Sequence, residues 1–285
     1  MTTAPGFDDS ARDREPPAPA CPPPLDHVLP GNASGLDIEL IPGEELRLNT
    51  WLQTELALIA APSYDDASAI LAREVADCTH LYIGRDTDGQ LAGFFMTRRD
   101  SLGAEPGLPL VHVGWSASRH DLKNSGATMA LFERCIVDVQ AWERQLGRRA
   151  LLWSTTASPT IYLGVSRFLA HVEPHHDGSY SAEGARLARL LRERLGAPPP
   201  AANEHPFAVR GIAAATRYST SERQRIARIC ARKSFSLFDQ LDIDESREDR
   251  LIFIARTPAD IGTALSRAST LALARRGRHD QRRSA

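Results

Sequence analysis

A mixed α/β fold, with a central, mostly antiparallel sheet flanked by helices, is what this 285-residue chain predicts from three observations. Short apolar or alternating runs of strand length recur between amphipathic stretches of helix length. Two of those runs are joined by Asp86-Thr87-Asp88-Gly89, and an Asp-Gly pair between apolar segments is a strong hairpin signal. A further run leads through a glycine turn, Lys123-Asn124-Ser125-Gly126-Ala127-Thr128, straight into a helix.

Leu36 to Ile41 alternates apolar and polar residues like a half-buried strand, and Pro42-Gly43 stops it. Helices follow over Glu44 to Ala60, with Leu46, Trp51, Leu52, Leu56 and Ile59 on one broad face, and over Tyr64 to Asp77, with Ala67, Ile70, Leu71 and Val75. His80 to Arg85 and Gln90 to Met96 form the hairpin. After a loop rich in Gly and Pro (Ser101 to Pro109), Leu110 to Val113 resumes strand character. The helix beyond Gly126 sets Met129, Phe132, Ile136 and Val139 on one side and Glu133, Arg134, Asp138 and Gln140 on the other. Leu151 to Ser154 is another strand, and Ser158-Pro159 opens a short helix from Thr160 to Phe168, proline suiting a first helical turn. A helix over Ala182 to Leu195 gathers Leu187, Leu190 and Leu191 against a face of arginines. Beyond the break Gly196 to Ala202 come a strand (Phe207 to Ile212), a helix (Ser221 to Leu241, capped by Ser221) and a strand (Leu251 to Ile254).

Composition bounds the function classes. Hydrophobic residues make up 42% of the chain, enough for a buried core, and the formal charge of -2 recruits neither nucleic acid nor a membrane surface. No apolar run approaches the roughly 18–20 residues of a membrane span, and the expected location is the cytoplasm. Cys21, Cys78, Cys135 and Cys230 lack CxxC spacing, which argues against a disulfide framework or a structural zinc. The organisation expected is a disordered proline-rich leader (1–34), a core (35–196), a strand-helix-strand block that completes or covers the sheet (197–264) and a basic tail (265–285).

The turn at 123–128 has the physics of an anion site. The first amides of a helix have no intrahelical acceptor, and the helix dipole adds partial positive charge at the same end. Gly126 admits a close backbone approach, Ser125 and Ala127 keep the path open, and Lys123 supplies a full charge. It is one of only two lysines in the chain.

Strand, two helices, hairpin, strand, glycine turn, helix, strand, short helix: over residues 36–175 this order resembles the GNAT family of acyl-CoA-dependent N-acyltransferases. The family's pyrophosphate loop, Gln/Arg-x-x-Gly-x-Gly/Ala, is matched at Gly126, approximated by Lys123 and missed at Thr128. Ser158 stands where the family usually carries an Asn, and Tyr162 lies one residue farther from Arg167-Phe168 than the family's tyrosine. The resemblance implies a GNAT-like sheet with a C-terminal α/β extension and an acetyl-CoA or other acyl-CoA donor gripped by Lys123, Asn124, Ser125, Gly126, Ala127 and Thr128. Pantetheine would pair with the splayed strand near Ser118 and His120. Tyr162 is the implied acid for the departing thiolate and His112 the nominee for the base. The acceptor would be an amine on a small molecule or peptide, with an acyl carrier protein as an alternative source of the acyl group; oligomeric state stays open.

His171-x-x-x-His175-His176-Asp177 has metal-ligand spacing, but Pro174 interrupts it and solvated histidines are the plainer reading. Arg186, Arg189, Arg192 and Arg194 read as a solvated basic face. The rival to the enzyme is a catalytically inactive GNAT-like binding or regulatory domain. An open V between the strands at Ser118 and Trp153 favours the enzyme; strands zipped together there leave no room for pantetheine.

Overall fold

A computed structural model describes residues 35–102, 107–123, 125–212 and 218–259; the leader, the basic tail and Asn124 lie outside the described residues. The strands are β1 (Asp37–Pro42), β2 (His80–Arg85), β3 (Leu91–Ser101), β4 (Pro109–Ser118), β5 (Leu151–Thr156), β6 (Ala170–Glu173), β7 (Ala208–Val209) and β8 (Arg250–Arg256). They form one sheet in the order β1-β2-β3-β4-β5-β8-β6, with β7 also paired to β8. Only β4 and β5 run parallel; every other pairing is antiparallel. The mixed, mostly antiparallel sheet is the one expected, and β7 and β8 of the C-terminal block are part of it.

Local chemistry explains most element boundaries. Asn49 accepts a hydrogen bond from Leu52 N at 3.0 Å and so splits the first expected helix into α1 (Gly43–Leu48) and α2 (Thr50–Ala60). Asp66 caps α3 (Ala67–Asp77) in the same way. Gly126, at φ +97°, starts α4 (Ala127–Leu146), and Gly147 ends it in the left-handed conformation. Ser158 caps α5 (Pro159–Val165), and Ser181 caps α6 (Ala182–Arg194). The last expected helix is instead α7 (Thr220–Lys233) and a short α8 (Leu237–Gln240), and its cap is Ser219 rather than Ser221. Ser219 and Glu222 form a reciprocal capping box, which outcompetes a lone hydroxyl two residues later.

Alternation along β2 and β3 sorts the core onto two faces. Leu81, Ile83, Phe94 and Met96 pack with Leu52, Leu56, Ile70 and Leu71 of α2 and α3. Tyr82 and Phe95 pack with Leu131, Phe132 and Cys135 of α4. Phe132 also meets Phe168, just past α5, with ring centroids 6.4 Å apart, so α4 and α5 share that face.

On the far side Arg192 is not solvated as expected. It is 2% exposed and donates to the carbonyls of Pro198 and Ala208, a buried staple that holds the 196–208 connection.

Candidate functional site

The site begins where β4 and β5 part. Their ladder holds only for Leu110–Leu151, Val111–Leu152 and His112–Trp153, yet β4 runs on to Ser118 and β5 to Thr156. The cause lies in β4. Between the pairs Thr97–Val113 and Phe95–Ser116, β3 advances two residues while β4 advances three, which is a β-bulge. One extra residue inverts the side-chain alternation beyond it. Val111 and Val113 accordingly pack on the α4 face, whereas Trp115 and Ala117 pack on the α2–α3 face. Gly114 sits in the bulge, where an added Cβ would lie 3.1 Å from the Met96 carbonyl. At the crotch of the V the Ser154 hydroxyl donates to Val113 O at 2.5 Å. The two strands therefore separate past Trp153 rather than zipping together.

On the α4 face lies the glycine turn. Ser118 is the last residue of β4, and Gly93 lets β3 approach it closely, a Cβ there meeting Ala117 O at 2.9 Å. Arg119 ties this strand end to the hairpin by an ion pair to Asp86 (2.9 Å) and also pairs with Asp121 (2.8 Å) two residues on. His120 is not on the strand: it is exposed in a 3-10 turn over His120–Leu122, because the ladder ends with Arg119 N on Ala92 O. Ser125 Oγ accepts the amide of Ala127, the buried first residue of α4. A Cβ on Gly126 would meet nothing within 4 Å, so the approach to the turn is open. Thr128 is the second residue of α4; Asn124 lies outside the described residues. Lys123 is engaged already, its Nζ 2.9 Å from Glu222 Oε1 at the start of α7.

His112 lies on the opposite, α3, face. Its ring stacks on Trp153 at 4.2 Å, and burial, helped by the charge of Arg98, pushes its pKa down to about 3. It is neutral across the physiological range. Beside it stands Glu74 of α3: the Cβ position of Gly114 is 3.5 Å from Glu74 Oε2 and 3.6 Å from His112 Cε1. Burial raises the Glu74 pKa, with Arg73 and Arg98 opposing. Sequence reasoning missed Glu74, which carries no local signal, and Gly114, whose place inside a strand is the usual mark of a bulge.

Tyr162 does not face the V. It is fully buried, its hydroxyl donates to the Pro174 carbonyl, and its ring packs among Phe235, Phe238 and Phe253. The proton on that hydroxyl is already committed, and α5 turns the ring toward β8 rather than toward β4. A different tyrosine stands by the start of α5: Tyr218, half-buried, interacts with the Ser158 hydroxyl and with Arg250. Tyr64 is near it, donating to Ser116 O at 3.3 Å. His176 is drawn to Tyr162 and Phe235, and no group of three metal-ligating side chains converges among the described residues.

No family model matches the chain, and no curated protein matches it. Among solved structures, AtaT complexed with acetyl-methionyl-tRNAfMet is 15% identical, with 46% of this chain and 84% of that chain covered at a TM-score of 0.31. A histone acetyltransferase HPA2 and related acetyltransferase from Corynebacterium glutamicum is 13% identical over 47% and 83% of the two chains, TM-score 0.32. A Bacillus subtilis acetyltransferase in complex with CoA is 16% identical over 48% and 79%, TM-score 0.32. Each of these alignments spans a little under half of this chain. No helix among the described residues is long and apolar enough to cross a membrane.

Proposed function

We propose that this chain transfers an acyl group from acyl-CoA, or from a carrier protein's pantetheine, to an amine. The observation that carries the reading is the V: β4 and β5 part past Trp153, with the glycine turn that starts α4 on one face and Glu74 beside a neutral imidazole on the other. The diphosphate would rest on the turn from Lys123 to Thr128, held by amides at the start of α4, the helix dipole and the lysine. Pantetheine would pair with the edge of β4 toward Ser118 that β5 leaves uncovered, so that the thioester lies in the V. A backbone N–H of that edge would stabilise the oxyanion.

The amine then approaches from the α3 face. An amine attacks only when deprotonated, and a carboxylate with a raised pKa is better matched to take its proton than an imidazole whose pKa is about 3. Glu74 takes the base role in this reading, and His112 orients it by packing. As nitrogen attacks, the C–S bond breaks and the thiolate needs a proton. Tyr218, which burial keeps protonated and which stands by Ser158, supplies it in place of Tyr162. Donor and acceptor sit on opposite faces, so both are bound at once and no acyl-enzyme is required.

Calorimetric titration with CoA, followed by thiol-release assays with acetyl-CoA and a panel of amines, tests the reading. Binding with release of CoA dependent on an amine supports the enzyme. Binding without transfer to any amine supports the inactive binding domain, and absence of CoA binding overturns both.

A further inference from the structure

The one cation of the glycine turn is occupied by a residue far along the chain. Lys123 Nζ lies 2.9 Å from Glu222 Oε1, across 99 residues of sequence, with the two side chains 23% and 22% exposed. The carboxylate is fixed at both oxygens: Oε2 accepts the backbone N–H and the hydroxyl of Ser219, each at 2.9 Å. Burial works against its charge, yet the hydrogen bonds from Lys123 and Ser219 outweigh it and bring the pKa down to about 2. Glu222 is therefore an anion at any physiological pH. The helix that carries it packs along α5, on the face where α4 begins.

We propose that Glu222 is a built-in occupant of the diphosphate site: α7 sets a carboxylate on Lys123, and the donor must displace it to engage the turn. The inference rests on the donor reading above. Exchange replaces one ion pair by another of higher charge and adds the α4 amides, so the donor still binds, but more weakly than the turn alone would allow. A partly exposed ion pair is worth little more than about 1 kcal/mol, which translates into a three- to tenfold reduction in affinity.

The test uses the full chain and Glu222→Gln, a substitution that keeps the capping geometry because glutamine also closes a capping box. CoA affinity is measured by calorimetry, and lysine accessibility by brief acetylation with an N-hydroxysuccinimide ester read by mass spectrometry. The chain has only two lysines, and exposed Lys233 serves as the internal reference. Expected in Glu222→Gln are severalfold faster labelling of Lys123 relative to Lys233, CoA binding three to ten times tighter, and protection of Lys123 when CoA is added. Equal labelling of Lys123 in both proteins overturns the inference. So does faster labelling with unchanged or weaker CoA binding, since Glu222 would then be holding the lysine in place for the donor. If CoA binds neither protein, the donor reading fails and takes this inference with it, a result distinct from the first two.

Discussion

His112 and Trp153 are the last pair of the β4–β5 ladder, and their rings stack with centroids 4.2 Å apart. Burial in this position, with the charge of Arg98 beside it, is what keeps the ring neutral.

That neutrality makes the fold acid-sensitive. The pKa of His112 is about 3 and so is that of His80, both because of burial first and a neighbouring arginine second, whereas each is near 6.5 in the unfolded chain. The unfolded state binds protons that the folded state refuses, so stability falls as pH drops from about 6.5 toward 3. His112→Gln should flatten that slope by on the order of 2 kcal/mol between pH 7 and 4, measured by urea denaturation. An unchanged slope would show that the imidazole is solvated.

Glu133 of α4 works in the opposite direction. Burial alone raises its pKa to about 7, and the folded state then resists losing the proton. Its contribution is harmless below the unfolded value near 4.5 and increasingly destabilising as pH rises through about 7. Glu133→Gln should stabilise the protein by about 1–3 kcal/mol at pH 8 and have no effect at pH 4. Melting curves at the two pH values check this.

Gly126 is open on its ligand side and has φ +97°. Gly126→Asp places a carboxylate where the diphosphate would lie and should abolish thermal stabilisation by acetyl-CoA. Gly126→Asn shares the backbone strain without the charge and should retain part of it. Equal loss in both would assign the effect to strain.

The two tyrosines separate cleanly. Tyr162→Phe leaves the Pro174 carbonyl without its donor and should cost about 1–2 kcal/mol of stability with CoA affinity intact. Tyr218→Phe should lower kcat by about a hundredfold or more at unchanged KM. Wild-type turnover in Tyr218→Phe would remove it from the mechanism.

The succession of elements along the chain, the Asp88-Gly89 hairpin and the glycine turn are legible because each is written in a few neighbouring residues. Asn49 splitting α1 from α2, and Ser219 with Glu222 capping α7, are equally local signals that stronger apolar periodicities mask. Other features exist only in three dimensions. Arg192 belongs by spacing to a polar helix face, and what buries it is the chain that folds back over 196–208. The direction of Tyr162 follows from Phe235, Phe238 and Phe253, residues 73 to 91 positions away that no helical pattern announces. The nearness of Glu74 to His112 depends on the same tertiary folding, with a bulge in between.

The placement of β8 between β5 and β6 has a consequence for how the chain comes to be folded. Leu152 pairs with Ala255 and Ala170 with Arg256, so β6 has no place in the sheet until nearly the whole described chain is available. During synthesis β5 would leave the ribosome tunnel with one edge bare, an invitation to wrong pairing that persists until the last strand slides in. A nonsense codon anywhere before residue 250 thus removes more than a terminal appendage: it strips the keystone strand and detaches β6 from the body.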